Sequence, residues 1–447
     1  MEILIKLSQF LLSLSLLIVL HEMGHFIPAK LFKTRVEKFY LFFDVKFSLL
    51  KKTIGGTEYG IGWLPLGGYV KISGMIDESM DKDQMALPPQ PWEFRSKPTW
   101  QRLIIMLGGV TVNFILAFII YIGMAFTYGD LYINNSEVKD GIWVANPVVE
   151  KIGLKTGDKI IAVDGIKAGK FHDLNAKIQL GKEIEVERNG AIQKIPLPVN
   201  FVDKLMSGKR ASIIELRIPF VITGTEDDSP NKNAVKPKDI ITSFNGKPVK
   251  YADEVLEAVK GISGQTVPAI VKRDDKDVAV ALKVSDSSKL GIVFAGRLPV
   301  SNIEKLNLYK VTKDKFGFFE SFPVGIEQGV EQVKDYGKQL KIIFTPETGA
   351  YKGVGGFYAI FNIFPDVWSW EVFWSITALL SIMLGVMNLL PIPALDGGHV
   401  MFLLYEMLTG RKPSDKFMEY AQIAGFVLLI ALVLFANGND IYKAIVN

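Results

Sequence analysis

Apolar residues gather into four long runs, and the chain between the second and third reads like that of a water-soluble protein. The runs cover about 3–31, 103–128, 372–390 and 418–435; the second has no charged residue. Each matches the roughly 20 apolar residues that a bilayer crossing needs. The first resembles a secretory signal in placement. Its single early Lys6, the lack of a small-residue cleavage site and the polar cluster at its far end argue for a retained span.

Basic residues sit beside particular span ends. Lys30, Lys33, Arg35 and Lys38 follow the first span; Arg95, Lys97 and Arg102 precede or open the second. Arg411, Lys412 and Lys416 lie between the third and fourth. The positive-inside rule places both of these loops in the cytoplasm, and both termini and the long insert outside.

Within the first loop, residues 57–73 alternate strand formers with Gly and Pro, which predicts a small β-hairpin dipping towards the membrane. Residues 77–98 are polar and proline-rich and predict a flexible loop, with Trp92 and Trp100 at the interface. Segment 327–343 has near-helical apolar spacing with lysines between, as in a helix lying on a membrane surface. Residues 353–370, rich in Gly and aromatics, predict a re-entrant or interfacial stretch.

The insert carries an internal repeat of about 80 residues. Gly-Leu-Lys-Thr-Gly-Asp-Lys-Ile-Ile-Ala-Val-Asp-Gly at 153–165 returns as Ala-Val-Lys-Pro-Lys-Asp-Ile-Ile-Thr-Ser-Phe-Asn-Gly at 234–246. A strand-like stretch precedes each copy (142–145 and 220–222), and a helix-like one follows, at 252–259 in the second. These residues resemble PDZ domains of bacterial envelope proteases, which bind an extended peptide as an added strand beside a helix. The alternative is a pair of β-rich domains that only restrict access.

Composition narrows the chemistry. Of 447 residues 49% are apolar, and the mean hydropathy is positive. A net charge of +4 gives no basis for nucleic-acid binding. The absence of cysteine excludes disulfides, thiolate metal sites and cysteine catalysis. A metal must therefore rely on His, Asp or Glu, and the histidines are His21, His25, His172 and His399.

His21-Glu22-Met23-Gly24-His25 directly follows the apolar run at 11–20. Residues four apart share a helix face, so both imidazoles reach one metal, with Glu22 beside them. This is the His-Glu-x-x-His pattern of zinc peptidases. Zinc lowers the pKa of a water to about 7, and the carboxylate takes the proton as water attacks a carbonyl. An acid inside a membrane costs roughly 2.5–3.5 kcal/mol on insertion scales, so its presence there asks for a function. The bland reading is a pair of interfacial histidines with a snorkelling Glu. For a third ligand Asp396 stands out, in Asn388-Leu-Leu-Pro-Ile-Pro-Ala-Leu-Asp396-Gly-Gly-His399, where prolines and glycines predict a broken helix presenting a carboxylate inward. Its alternative is an interfacial turn with Asp396 capping the next helix. His399 fits an interfacial role or one behind the ligands, because a catalytic zinc keeps a position open.

His21-Glu22-x-x-His25, Gly109-x-x-x-Asn113, Asn388-x-x-Pro391 and Leu395-Asp396-Gly397, in this order on successive spans, resemble the site-2 protease family of intramembrane zinc metalloproteases. The nearest type is the bacterial regulator-of-sigma-E protease, with PDZ domains between the second and third spans. The resemblance implies Zn2+ on His21, His25 and Asp396, and Glu22 as general base. It implies Asn113 and Asn388 near substrate or oxyanion, Gly109 at a close helix contact, and Gly68 and Tyr69 in a β element that holds substrate as a strand. It further implies single-span membrane substrates (anti-sigma factors or remnant signal peptides) trimmed beforehand, in the bacterial inner membrane. A family Gly-Pro-x-Gly stretch is represented by Gly353-Val-Gly-Gly356, without the proline.

The expected architecture is a polytopic α-helical membrane protein with four transmembrane helices, a membrane-associated β-hairpin and two extracytoplasmic PDZ-like α+β domains. Its segments are 1–34 (first span), 35–99 (cytoplasmic loop), 100–129 (second span), 130–215 and 216–298 (PDZ-like domains), 299–370 (connector), 371–397 (third span with the Asp396 motif) and 398–447 (loop and fourth span). Two other classes compete: an intramembrane metal-ion transporter, and an inactive scaffold that binds membrane peptides. A transporter would line several spans with ionisable groups and has no use for PDZ-like domains. A scaffold has no need of Glu22.

Overall fold

The computed structural model describes residues 2–65, 67–75, 87–206, 212–296, 298 and 300–446. Of the loop expected at 77–98, residues 77–86 lie outside the described residues. The chain divides into two compact units: 1–129 with 315–340 and 354–447, and 130–314 with 341–353.

The first unit opens with helix α1 (Glu2–Leu31). A sheet follows, made of β1 (Val36–Leu41), β2 (Phe43–Ile54), β3 (Thr57–Leu64) and β4 (Tyr69–Ile72), in the order β2-β3-β1-β4. The two strands within 57–73, β3 and β4, do not form the expected hairpin with each other: β1 lies between them in a four-stranded sheet. β3 runs parallel to β1 and antiparallel to β2, while β4 pairs antiparallel with β1 and leaves its other side as the sheet edge. Tyr40, wholly buried, anchors this sheet by donating to Glu58 at 2.8 Å and stacking on Tyr69.

Helix α2 (Thr99–Thr127) crosses α1 at two glycines. A Cβ on Gly24 would lie 2.4 Å from the Gly108 carbonyl oxygen, and one on Gly108 would lie 1.9 Å from that of Gly24. Only a glycine pair lets the backbones touch, the small-residue packing of membrane helices.

The second unit holds two β domains built on one plan. In the first, β5 (Asp130–Ile133) and β6 (Ile142–Trp143) precede the sheet of β7 (Lys159–Val163), β8 (Ile166–Lys167), β9 (Glu183–Arg188) and β10 (Ala191–Pro196), ordered β10-β9-β7-β8. Helix α3 (Leu174–Leu180) lies between β8 and β9 in sequence, and β11 (Glu215–Leu216) pairs with β6. The second domain has β12 (Phe220–Thr225), β13 (Ile240–Phe244), β14 (Lys247–Pro248), helix α4 (Ala252–Lys260), β15 (Thr266–Arg273), β16 (Lys276–Lys283) and β17 (Ile292–Phe294). Its order is β16-β15-β13-β12-β17, with β14 on β13. β18 (Val311–Asp314) returns to pair with β5. Each domain has its own apolar core, around Ile160, Ile178 and Val186 in the first and Phe244, Val255 and Val271 in the second.

The repeat is anchored by the same buried ion pair twice. Arg188 donates in fork fashion to Asp158 at 2.6 Å, and Arg273 donates to Asp239 at 2.9 and 2.6 Å. Each carboxylate also accepts the backbone N–H three residues before it, of Lys155 and Lys236. Burial alone would push the Asp239 carboxyl up. The Arg273 guanidinium and the Lys236 N–H outweigh it and hold the group below the ordinary aspartate range. The copies differ at one strand edge. In the first, Asn175 of α3 accepts from the N–H groups of Ile213 and Ile214 at 2.9 and 3.0 Å and donates to the Ile214 carbonyl at 3.0 Å. Ile292 is the counterpart of Ile214, since Phe294 pairs with Ile222 as Leu216 pairs with Ile142. Among the described residues no side-chain amide sits there, and β17 ends its sheet.

Back in the first unit, α5 (Ser321–Ile343) packs its small residues on α2. A Cβ on Gly325 would lie 2.4 Å from the Ile122 backbone nitrogen, and one on Gly329 would lie 2.4 Å from the Phe118 ring. The surface helix expected at 327–343 therefore starts earlier and is docked by a Ser321, Gly325, Gly329 stripe. After α6 (Phe357–Ile363) comes α7 (Trp370–Leu389), capped by Ser369, which accepts from the Val372 N–H. The third span ends near 390, where the sequence placed its end, and the chain breaks before Asp396. The span stops at two prolines, and Asp396 opens a separate helix, α8 (Asp396–Thr409), in what was read as loop. The last helix is α9 (Asp415–Val446). Its Asp440 accepts from the N–H groups of Gly356 and Ala359, pinning the glycine stretch at 353–356. Among the described residues four helices are long and apolar enough to cross a membrane: α1, α2, α7 and α9.

Candidate metal centre

His21 and His25 lie one turn apart on α1, on the face that meets α2. Their Nε2 atoms are 3.4 Å apart. Oδ2 of Asp396, the first residue of α8, stands 3.6 Å from His21 Nε2 and 3.3 Å from His25 Nε2. These three residues form the one His/Asp/Glu group of this kind among the described residues.

The triangle fits zinc. At bond lengths of about 2.0–2.2 Å, tetrahedral ligands stand roughly 3.3–3.5 Å from one another, close to all three distances. Asp396 Oδ2 is buried and accepts no hydrogen bond from the protein, an expensive state unless a cation takes that lone pair. The groups behind the ligands fit as well. His25 Nδ1 lies 2.8 Å from the Ile105 carbonyl oxygen, so Nδ1–H donates there and Nε2 is left with its lone pair. His21 Nδ1 lies 3.0 Å from Asn113 Nδ2, while Asn113 Oδ1 is buried without a partner. Amide orientation is an assignment. With the amide turned over, His21 Nδ1–H donates to Oδ1.

Gly109 roofs the site. A Cβ there would lie 2.3 Å from His25 Nε2 and 2.6 Å from His21 Cε1. Asn388, near the end of α7, places Nδ2 3.3 Å from His21 Nε2. Ser381, two turns earlier on α7, donates to the Asn113 carbonyl at 2.7 Å and ties α7 to α2 at this level.

A cleft of about 1300 Å³ opens over the ligands. Glu22 lines it, and β4 forms the facing wall from Tyr69 to Ile72. Gly68 brings the chain against α1: a Cβ there would lie 2.5 Å from Ile18 Cγ2 and 3.6 Å from Glu22 Cγ. Tyr69 donates to Asp44 Oδ1 at 2.8 Å; burial, then the Asp44 carboxylate, push its hydroxyl well above the ordinary tyrosine range. His399 lines the same cleft one turn beyond Asp396 and is outside the three-residue group.

All eight residues singled out in the sequence therefore meet at one place. His21, His25, Asp396, Glu22, Gly68 and Tyr69 border the cleft; Asn113 touches His21 from behind at Nδ1, and Asn388 meets its Nε2, the nitrogen that faces Asp396. The sequence reading missed Gln422 of α9, which also borders the cleft, and the Gly24–Gly108 crossing. A lone amide in an apolar span was the available signal for Gln422.

Comparison with known proteins gives the same direction. Residues 9–432 match peptidase family M50. A Campylobacter jejuni protein named "Putative zinc metalloprotease" is 27% identical over 441 residues, covering 97% of this chain and 92% of that one. Proteins of the same name from Clostridium acetobutylicum and Fusobacterium nucleatum are each 28% identical, over 435 and 441 residues, with 96% of both chains covered in each case.

Proposed function

This chain belongs to peptidase family M50 and is a zinc metalloprotease of a multi-pass membrane protein type, and from that premise we propose that it cuts single-span membrane segments within the bilayer. The observation that carries the reading is the shared cleft: the metal triad on α1 and α8, Glu22, and the open edge of β4 all face it.

When bound, zinc supplies a Lewis acid that polarises the scissile carbonyl and lowers the pKa of water. His21, His25 and Asp396 hold it. Glu22 accepts a proton from the attacking water and returns it to the leaving amine. A transmembrane helix has its carbonyls tied up in hydrogen bonds, so the substrate must unwind first. β4 offers unpaired backbone groups to the unwound segment, which adds as a strand with its carbonyl towards the triad. The buried Asn113 amide supports His21 from behind, and the Asn388 amide, on the metal-facing side of His21, stands ready for substrate backbone or oxyanion.

The reading extends to partners and setting. The substrates are anti-sigma-factor-like proteins or remnant signal peptides, already trimmed outside, in a bacterial inner membrane. The basic loops face the cytoplasm, and both termini and the two PDZ-like domains lie outside. Of those domains the second, with β17 open, suits peptide capture better than the first, where Asn175 covers the equivalent edge.

The test is Glu22→Gln in full-length protein reconstituted in liposomes with a single-span peptide. Zinc content is expected to match wild type while cleavage falls to background. Undiminished cleavage would overturn the reading.

A further inference from the structure

The six residues that join α7 to α8, Leu390-Pro391-Ile392-Pro393-Ala394-Leu395, set where Asp396 stands. Two are prolines and carry no N–H. Three of the four N–H groups are satisfied close by: Leu390 donates to Met387, Ile392 to Leu390 and Leu395 to Ile392. The fourth leaves the segment. Ala394 N–H donates to Oε1 of Gln422, on α9, at 3.2 Å.

Ala394 is also where the backbone is least at ease. Its φ is +77°, a left-handed value that a residue with a Cβ adopts at a cost. Such a conformation persists only when its surroundings hold it. Gln422 is 4% exposed, on a helix whose other faces are largely open to lipid. One turn further, Gly425 lets α9 come in: a Cβ there would lie 1.8 Å from the Pro393 carbonyl oxygen. On the far side a Cβ on Gly398 would lie 2.6 Å from the Ile392 carbonyl oxygen. The segment is thus clasped between α8 and α9, with one directional bond across the clasp.

We infer that Gln422 is a positioning residue for the metal centre: its side-chain carbonyl holds Ala394 in the left-handed conformation and thereby aims Asp396 at His21 and His25. An amide in an apolar span then has its reason, since a buried polar group persists where it is bonded. Gln422 touches neither the metal nor the proton being moved, and acts two residues away through the backbone. The inference rests on the zinc reading of the site.

The test is a double-mutant cycle on full-length protein in detergent, with zinc affinity read by competition against a chelator. Gln422→Met keeps length and bulk, suits a membrane helix and removes the strong acceptor. It is expected to weaken zinc about tenfold or more, in the range for partners that orient ligands. Ala394→Gly removes the cost of the left-handed conformation. In that background Gln422→Met is expected to weaken zinc less than about threefold, because the strain it restrained is gone. An equal loss in both backgrounds, or no loss in either, overturns the inference. If Gln422→Met alone aggregates, the double variant decides against Ala394→Gly, and a gap above threefold refutes it. Wild-type protein that holds no zinc at all would instead sink the reading of the site.

Discussion

Gly109→Ala is the sharpest perturbation available at the centre. The new methyl would stand 2.3 Å from His25 Nε2, 2.6 Å from His21 Cε1 and 2.9 Å from His21 Nδ1. Ordinary contacts of this kind begin near 3.4 Å, so the methyl or the imidazoles must give by about an ångström. Metal–ligand distances tolerate roughly 0.2 Å, so the displacement falls on the metal. Overpacking of this sort costs about 1–3 kcal/mol, equivalent to a loss of zinc affinity of about 5- to 150-fold. The control is on the same helix: a Cβ on Gly123 meets nothing within 4 Å. Gly123→Ala is expected to retain zinc and to raise helix stability by about 0.5–1 kcal/mol. Both variants are purified in detergent and compared by zinc content, chelator competition and peptide cleavage. If Gly109→Ala holds zinc as tightly as Gly123→Ala, the ligand arrangement described above is wrong.

Other outcomes follow from the same contacts. Asn113→Ala takes away the group behind His21 Nδ1; zinc affinity is expected to fall about 10- to 100-fold by chelator competition, as for other groups that orient a ligand. The Asp239 carboxyl is held below its ordinary value, so its contribution is complete above about pH 4 and is lost as pH falls through the lowered value. Arg273→Met leaves that buried carboxylate without its counter-ion and with only the Lys236 N–H; its pKa rises, and thermal unfolding should drop by several degrees at pH 7 and recover on acidification towards pH 4, the reverse of wild type. Asn175→Ala strips the acceptor from two N–H groups beside Ile213 and Ile214, which are nearly fully buried. A loss of about 1–3 kcal/mol should show as faster hydrogen exchange confined to those amides. Because the chain lacks cysteine, Lys412→Cys and Asp228→Cys give unique labels, and an impermeant thiol reagent should reach only Asp228→Cys from outside.

The candidate ligands were legible for a simple reason. Four-residue spacing on a helix brings His21 and His25 together whatever the rest of the chain does, and an acid among apolar residues needs a partner. Asp396 was legible by elimination, and a following helix as its carrier only as the alternative reading. The prolines at 391 and 393 signal a break, while the start of α8 at Asp396 depends on how the following glycines pack. The four-stranded sheet of the first unit was seen only as a hairpin, because β2 carries lysines among its apolar residues and β1 meets β3 in parallel, a pairing no local pattern encodes. The helix α5 was read from its lysines as a surface element. Its docking face is written in residues that have almost no side chain, Ser321, Gly325 and Gly329, which hydropathy hardly registers.

The twin ion pairs of the β domains separate what holds each copy together from what its edge presents. Asp158 with Arg188, and Asp239 with Arg273, hold the same turn to the same strand in both copies, down to the backbone oxygen each arginine also reaches, on Gly153 and Ala234. Such detail means that one folding scheme serves both copies. The copies differ at the edge, where the first places Asn175 over Ile214 and the second leaves β17 as the sheet edge. A foundation set apart from the rim lets the edge of either copy change without either having to find a new way to fold.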